Sequence, residues 1–156
     1  MNEKITDLNF EQIKVGMKKE FNVKITEIML KNFSDFTGDN NPLHTDENYA
    51  NTTKFGKRVC HGMLLSSFFS RLIGMELPGK YALYFSQSLN FKLPGFIGDE
   101  ITVQGEIIEK RNSVKMVKIK TIIDSTYTFE QAADAHTRML NGKDLFGKIL
   151  MKPEGV

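Results

Sequence analysis

The sequence predicts an α+β fold in which an antiparallel sheet wraps around one long central helix. The first observation is a nearly uncharged, mostly apolar segment at residues 60–75, whose only charge is Arg71 and which predicts a central helix at about residues 61–76. A helix that is apolar on every face belongs inside a protein or a membrane, and this one is too short and too rich in Ser to span a bilayer. The second observation is a series of alternating apolar and polar segments behind it, joined by short turns, which is typical of antiparallel strands. A sheet with one apolar face and an apolar helix bury each other's surfaces by packing together.

Ahead of the central helix, the chain predicts one strand, one helix and a second, short helix through Tyr49 and Ala50 that Asp46 or Thr45 can cap. Residues 21–25 alternate between apolar and polar side chains, as in a half-buried strand. A helix then runs from Thr26, which is a suitable N-cap, to about Thr37, and Gly38 is placed to end it.

Behind the central helix, the alternation predicts three strands, at residues 83–91, 101–110 and 114–123. The chain then changes character. Good helix formers predict a helix at residues 129–140, and residues 145–151 predict a last strand. We expect this last strand to lie at an edge of the sheet and the helix to lie outside the sheet.

Composition indicates a single soluble globular domain spanning residues 1–156, because 40% of the residues are hydrophobic and 26% are charged. A net charge of +2, without clustered Lys and Arg among aromatics, argues against a nucleic-acid partner. Cys60 is the only cysteine, so an internal disulfide is excluded. The first residues show neither a signal peptide nor a membrane anchor, so we expect a cytoplasmic protein without a membrane partner.

A polar, turn-rich segment lies between the first helix and the central helix, at residues 38–46. The Asn41-Pro42 pair forces Asn41 out of the helical conformation and fixes the following turn. Asp39 and His44 can therefore lie on the same side of a rigid loop. Composition alone favours the plainer interpretation, in which Asp39 is a turn residue and His44 a surface side chain.

The start of the central helix is a second place where chemistry is possible. Gly62 has no Cβ, so another group can approach the free N–H groups there, which attract negative charge. The alternative is that Gly62 only lets the helix pack against a strand. His61 and Cys60 are expected to be structural, since Cys in an apolar segment is usually an inert small hydrophobe. Three His and one Cys without a ligand-spaced cluster argue against a metal.

Five motifs occur between about residues 15 and 110: Gly38-Asp39-Asn40-Asn41-Pro42-Leu43-His44, His61-Gly62-Met63-Leu64, Pro78-Gly79, Ser86-Gln87-Ser88-Leu89-Asn90-Phe91 and Gly98-Asp99-Glu100. In this order and spacing they resemble the MaoC-like hydratases, specifically the (R)-specific enoyl-CoA hydratases with a single hot-dog domain. The resemblance implies a hot-dog fold, in which an antiparallel sheet wraps a long helix. It also implies an active-site Asp and His at Asp39 and His44, and an oxyanion-binding N–H at Gly62.

The resemblance further implies a carbon–oxygen lyase that hydrates a trans-2-enoyl-CoA to the (R)-3-hydroxyacyl-CoA without a cofactor. Asp39 and His44 would hold one water and share its protons as general base and acid, and the sequence leaves open which of them takes the first proton. The expected substrate-binding residues are Ser70, Asn41 and Ile73. A homodimer is expected to cover the edge strands of the sheet.

Two alternatives stay open at this point. Hot-dog folds also serve acyl-CoA thioesterases, and the protein could be a non-catalytic acyl-CoA-binding module. The second alternative gains weight because residues 119–156 diverge from the family pattern. Residues from about 119 to 153 resemble the C-terminal end of medium-chain dehydrogenases of the quinone-oxidoreductase type. Dehydrogenase activity is not expected, since no Gly-rich dinucleotide fingerprint lies between a strand and a helix.

Overall fold

The computed structural model of the protein describes residues 4–128 and 150–152. In chain order these contain β1 (Lys18–Lys24), α1 (Glu27–Thr37), α2 (Pro42–Thr45), α3 (Glu47–Asn51), α4 (Gly62–Arg71), β2 (Glu100–Arg111), β3 (Met116–Thr128) and β4 (Leu150–Lys152). A π-helical turn, Leu72–Glu76, continues α4, and short 3-10 turns lie at Phe10–Gln12 and Asn112–Val114. The predicted mixture of one sheet with helices is confirmed.

The sheet has the strand order β1-β2-β3-β4. The first three strands are antiparallel neighbours, and the β2–β3 ladder shifts register once, between Ile107 and Glu109. The strands predicted at residues 21–25, 101–110 and 114–123 are confirmed as β1, β2 and β3, whereas β4 pairs with β3 in parallel. Of the predicted last strand, the Leu150–Met151 part lies at the sheet edge as expected. Residues 145–149 and the predicted helix 129–140 lie outside the described residues.

Helix α1 has the caps that its sequence predicts. The Thr26 hydroxyl accepts a hydrogen bond from the backbone N–H of Met29 at 3.3 Å. At the other end Gly38 adopts a left-handed conformation with φ of 77°, and its N–H donates to the carbonyl oxygen of Ser34 at 2.8 Å. This turn sends the chain out of the helix into the polar loop that follows.

The main hydrophobic core lies between α4 and the sheet. Gly105 of β2 allows close packing there, because a Cβ at that position would lie 2.8 Å from the Leu72 side chain. Burying one such Leu, Ile or Phe side chain stabilises a fold by about 1.5–3 kcal/mol. The buried members of this core are Ile25, Leu30, Cys60, Leu64, Phe69, Leu72, Ile101 and Val103. A smaller cluster contains Ile13, Leu77 and Ile107.

The prediction that the central helix is buried on every face is wrong. Met63, Ser67, Ser70 and Gly74 are exposed, and their spacing of four, three and four residues places them on one side of the helix. In the described part of the chain the sheet packs against the opposite side, which carries Leu64 and Leu72. The helix is therefore half covered.

The prediction of a strand at residues 83–91 is also wrong. This segment makes no ladder hydrogen bonds in the described part of the chain, and Leu83 and Phe85 are 89% and 81% exposed. It runs beside β3, where Gln87 donates to the Thr121 hydroxyl at 3.4 Å, and a cavity of about 790 Å³ lies between them. Alternating side chains suit a strand, but a strand also needs a neighbouring backbone within hydrogen-bond distance.

Candidate active site

The loop between α1 and α2 fixes the carboxylate of Asp39. One oxygen of that carboxylate, Oδ1, accepts the backbone N–H of Asn41 at 3.2 Å. Asn41 in turn caps α2, because its own Oδ1 accepts the N–H of Leu43 at 2.9 Å and Pro42 supplies the first helical residue. The rigid loop predicted from the Asn-Pro pair is present, and it leaves the second oxygen of Asp39 turned to other partners.

His44 lies in α2 and is held by a residue just before α4. Its Nδ1 lies 2.7 Å from the carbonyl oxygen of Val59. A carbonyl oxygen only accepts, so Nδ1 carries the proton and, in the neutral ring, Nε2 keeps its lone pair. The backbone supports this contact, since the N–H of Val59 donates to the carbonyl oxygen of Leu43 at 3.2 Å. His44 is thereby set up to accept a proton at Nε2.

His61 lies between these two residues, which the sequence did not predict. Its side chain is 2% exposed. Its Nε2 lies 3.1 Å from the backbone oxygen of Asp39 and 4.0 Å from the carboxylate oxygen Oδ2 of the same residue. Its ring stacks on that of His44 with 3.9 Å between centroids. His61 therefore contacts both members of the predicted pair, which is compatible with the structural role expected for it.

The structure brings the predicted Asp and His together at the start of α4. A carboxylate oxygen of Asp39, a ring nitrogen of His44 and a ring nitrogen of His61 all lie within 4.8 Å of one another. Gly62, the first residue of α4, follows His61 directly. The acid–base candidates and the helix N-terminus thus belong to one site, as the sequence predicts.

The backbone N–H of Gly62 has no hydrogen-bond acceptor among the described residues. His61 gives α4 no side-chain cap. A Cβ at residue 62 would lie 2.9 Å from the ring of Phe91. This contact fits the packing role of the glycine, and the role of its N–H in binding an oxyanion stays a prediction.

Asp39, His44 and His61 converge in space although the sequence shows no cluster with metal-ligand spacing. The hydrogen bonds of His61 nevertheless speak against a resident ion. Because Nε2 faces a carbonyl oxygen, it carries the proton, and Nδ1 is buried without a partner among the described residues. A metal on Nε2 would move the proton to Nδ1, where it would have no acceptor, at a cost of about 1–3 kcal/mol.

One of the three predicted substrate-binding residues, Asn41, lies beside the pair, since its N–H donates to Asp39. Ser70 is exposed, and among the described residues it makes no hydrogen bond to Asp39 or His44. Asn41 uses its side chain to cap α2. Ile73 lines the cavity beside β3, which none of the catalytic candidates lines. The roles of these three residues in binding substrate stay predictions.

Arg58 connects the elements around the site through ion pairs near the protein surface. Its guanidinium donates to both carboxylate oxygens of Glu27 at 2.8 and 2.6 Å and to Glu47 at 2.9 Å, which joins α1 and α3 to the residue before Val59. The hydrogen bond from Arg58 lowers the pKa of the Glu27 carboxyl, and the same bond raises the pKa of Arg58. Arg58 is thus committed to two carboxylates.

Cys60 has the inert character that its apolar neighbourhood predicts. The side chain is buried in the main core. Burial disfavours the thiolate and raises the pKa of Cys60 to about 12. A nucleophilic role for this thiol is therefore excluded near neutral pH.

Comparison with known proteins identifies the fold family. Residues 9–127 match the family model described as MaoC like domain. The chain belongs to this MaoC-like family. Two relatives, both named (R)-specific enoyl-CoA hydratase, come from Aeromonas caviae and Rhodospirillum rubrum. The first is 39% identical over 116 residues, which are 74% of this chain and 87% of the relative. The second is 42% identical over 106 residues, which are 65% of this chain and 74% of the relative.

Solved structures agree with the MaoC-like assignment. The (R)-hydratase from A. caviae involved in PHA biosynthesis superposes with a TM-score of 0.72 at 39% identity, and the match covers 74% of this chain and 87% of that one. An unliganded R-hydratase from Pseudomonas aeruginosa gives 0.70 at 36% identity, over 74% of each chain. The predicted hot-dog fold is confirmed. The family match ends at residue 127, so the dehydrogenase resemblance of the tail stays a prediction.

None of the helices in the described ranges is long and apolar enough to cross a bilayer.

Proposed function

We propose that this MaoC-like protein is a lyase that hydrates trans-2-enoyl-CoA to (R)-3-hydroxyacyl-CoA and catalyses the reverse dehydration. The observation that supports this most is the meeting of Asp39 and His44, with a carboxylate oxygen and a ring nitrogen within 4.8 Å, beside the N-terminus of α4. Relatives at about 40% identity bear the name of this activity.

The pair is suited to hold one water. An ionised carboxylate only accepts hydrogen bonds, and His44 accepts at Nε2 because its Nδ1–H donates to Val59. A water between them donates one proton to each, and each bond spans about 2.8 Å. The lone pairs of the water oxygen then face away from both acceptors, toward C3 of a bound enoyl thioester.

The atoms of the reaction balance without a cofactor. The water oxygen bonds to C3 while one O–H bond breaks, and Asp39 or His44 takes that proton. The electron pair of the C2–C3 double bond moves toward the thioester carbonyl, whose oxygen becomes negative, and the proton is returned to C2. The Gly62 N–H at the positive end of α4 stabilises that oxygen, and such a donor in a dry site is worth about 3–4 kcal/mol.

The experiment that tests this is a hydration assay with crotonyl-CoA. We expect the absorbance of the conjugated enoyl thioester to fall without release of free CoA. An (R)-specific hydroxyacyl-CoA dehydrogenase in the assay should oxidise the product, and an (S)-specific one should not. Release of free CoA with the enoyl absorbance unchanged would indicate a thioesterase. Binding of crotonyl-CoA without either reaction would indicate a binding module.

We further propose that the protein acts as a homodimer in the cytoplasm. Support for the dimer is the exposed apolar surface of the 83–91 segment, with Leu83 and Phe85 almost fully exposed. Light scattering after size-exclusion chromatography should give twice the mass of the 17.8 kDa chain. A monomer at micromolar concentration would contradict the proposed dimer and would leave the proposed hydration reaction unaffected.

A further inference from the structure

We infer that His61 is a positioning residue for this reaction, which holds the backbone of Asp39 and the ring of His44 in register with the amide of Gly62. The inference rests on the proposed function, since it concerns the same site.

The contacts of His61 run to every part of the site. The Nε2–H donates to the backbone oxygen of Asp39 at 3.1 Å, with the Ser34 hydroxyl at 3.4 Å. One face of the ring stacks on His44 at 3.9 Å between centroids, tilted by 33°. Phe33 of α1 lies 5.0 Å away and limits movement of the ring. Because Gly62 is the next residue, a displacement of His61 also displaces the oxyanion-binding amide.

The hydrogen bonds of His61 suit a ring with one proton, carried on Nε2. Its Nε2 carries a proton for the carbonyl oxygen, and its Nδ1 is buried with no described partner. A second proton on Nδ1 would be buried without an acceptor. Asp39 and His44 are the described titratable groups in contact with the ring.

A neutral ring has a direct consequence for catalysis. His44 can take a proton from water while stacked on His61, whereas two imidazolium rings at 3.9 Å would repel each other. A neutral His61 therefore allows His44 to become an imidazolium without charge repulsion, and it does not take the proton itself. This differs from a packing role, which any ring of similar size would fill.

Three variants of His61 separate positioning from packing. His61→Gln places an amide N–H near the position of Nε2, so the bond to the Asp39 oxygen is kept. His61→Asn carries the same amide one carbon shorter, near the position of Nδ1, and cannot reach it. His61→Phe keeps a ring but has no donor.

We expect His61→Asn and His61→Phe to lower kcat for crotonyl-CoA hydration about 100-fold, with KM changed less than about threefold, since misplacing a catalytic group by about 1 Å costs this much. His61→Gln should restore kcat to within about tenfold of the wild type. Melting temperatures of the three variants identify any loss that comes from unfolding. Equal losses in the Gln and Asn variants, or an unchanged kcat in His61→Phe, would overturn the inference.

A measurement on the unmodified protein covers the case in which the variants do not fold. Nitrogen-15 NMR of the imidazole rings should show His61 neutral with its proton on Nε2 at pH 7.5, and His44 with its proton on Nδ1. An imidazolium or an Nδ1–H tautomer at His61 would overturn the inference. A wild type that folds but does not hydrate crotonyl-CoA would instead overturn the proposed function, while the NMR result would still show whether the described geometry exists.

Discussion

The imidazole of His44 donates its Nδ1–H to the backbone carbonyl of Val59 over 2.7 Å, so a residue just before the central helix sets the tautomer of a residue in the preceding loop. Val59 follows Arg58, which is bonded to helices α1 and α3. The lone pair at His44 Nε2 therefore depends on a chain of contacts that reaches the protein surface. Each link of this chain can be removed separately.

Replacement of Asp39 by Asn tests the carboxylate. The amide keeps the size and can still accept the N–H of Asn41, but it cannot take a proton, so hydration should fall by about 10²–10⁴-fold. The matched control is Asp35→Asn, the same chemical change on an exposed face of α1, where Asp35 pairs with Lys31. The assay is loss of the enoyl absorbance of crotonyl-CoA. Full activity of Asp39→Asn with circular dichroism like that of the wild type would contradict the assignment.

Two replacements of His44 separate its base from its hydrogen bond. Asn places an amide N–H near the position of Nδ1 and can keep the bond to Val59, but it has no Nε2. We expect His44→Asn to keep the melting temperature while hydration falls at least about 100-fold. His44→Ala should lose the same activity and also about 1 kcal/mol of stability, because the Val59 carbonyl loses its partner. Calorimetry and the hydration assay together decide this, and equal stabilities of the two variants would contradict the proposed bond.

Gly62→Ala tests the oxyanion position. The new Cβ would lie 2.9 Å from the Phe91 ring. That ring is 59% exposed and can move aside, so we expect stability to change by less than about 1 kcal/mol. The methyl group beside the amide should lower kcat/KM at least about tenfold by obstructing the thioester oxygen.

Gly74→Ala is the matched control for this glycine. It lies in the π-helical continuation of α4, and a Cβ there would meet nothing within 4 Å. We expect a gain of about 0.5–1 kcal/mol in stability with unchanged hydration. A second variant, Gly62→Ala with Phe91→Ala, gives the crowded ring room. Recovery of activity in that double variant would mean that Phe91, and not the amide, accounts for the loss.

Arg58→Met tests the ion pairs of Arg58 through their pH dependence. The hydrogen bond from Arg58 lowers the pKa of Glu27 in the folded protein, so this contribution to stability is present above the pKa of glutamate in the unfolded chain and is lost as the pH falls through the lowered pKa of the folded protein. We expect the wild type to exceed Arg58→Met in free energy of unfolding by about 1 kcal/mol near pH 7, because the carboxylates are half exposed. The difference should shrink toward pH 3.

Urea denaturation at several pH values measures this difference. Arg111→Met is a suitable control, since Arg111 pairs with Glu109 of the same strand and its side chain is 64% exposed, against 19% for Arg58. A difference between wild type and Arg58→Met that stays constant from pH 7 to pH 3 would show that Arg58 stabilises by packing and not by its ion pairs.

The thiol of Cys60 should report on unfolding. Burial raises its pKa to about 12, and the side chain is 2% exposed, so a thiol reagent such as DTNB should not react with the native protein at pH 8. Full unfolding should release one reactive thiol per chain, because the sequence contains one cysteine. Reaction within seconds in the native state would contradict this burial.

Local signals carried most of what the sequence predicted correctly. Thr26 and Gly38 mark the two ends of α1, because caps depend on neighbouring residues. The alternation of apolar and polar side chains located β1, β2 and β3, because this pattern also depends only on residues close together in the chain. The prediction of a strand at residues 83–91 was wrong because the alternating pattern contains no information on a pairing partner. A strand needs a second backbone within hydrogen-bond distance.

In the site, too, contacts within one segment could be predicted from the sequence, whereas contacts between distant segments could not. Asp39 and His44 come from one loop, so their motif placed them together. His61 is 22 residues from Asp39 and carries no local mark of its contacts, which depend on how α4 docks against that loop. The exposed face of α4 was missed for a similar reason, because hydropathy shows which residues are apolar but not which element covers each face.

The hydrogen bonds that build the site all lie between residues 34 and 61, and Gly62 adds the amide. The parallel strand β4 pairs with β3 far along the chain from this stretch. The late part of the sheet can therefore change during evolution without altering the hydrogen bonds of Asp39, His44 and His61. New chain segments inserted there would alter substrate binding and subunit assembly before they alter proton transfer.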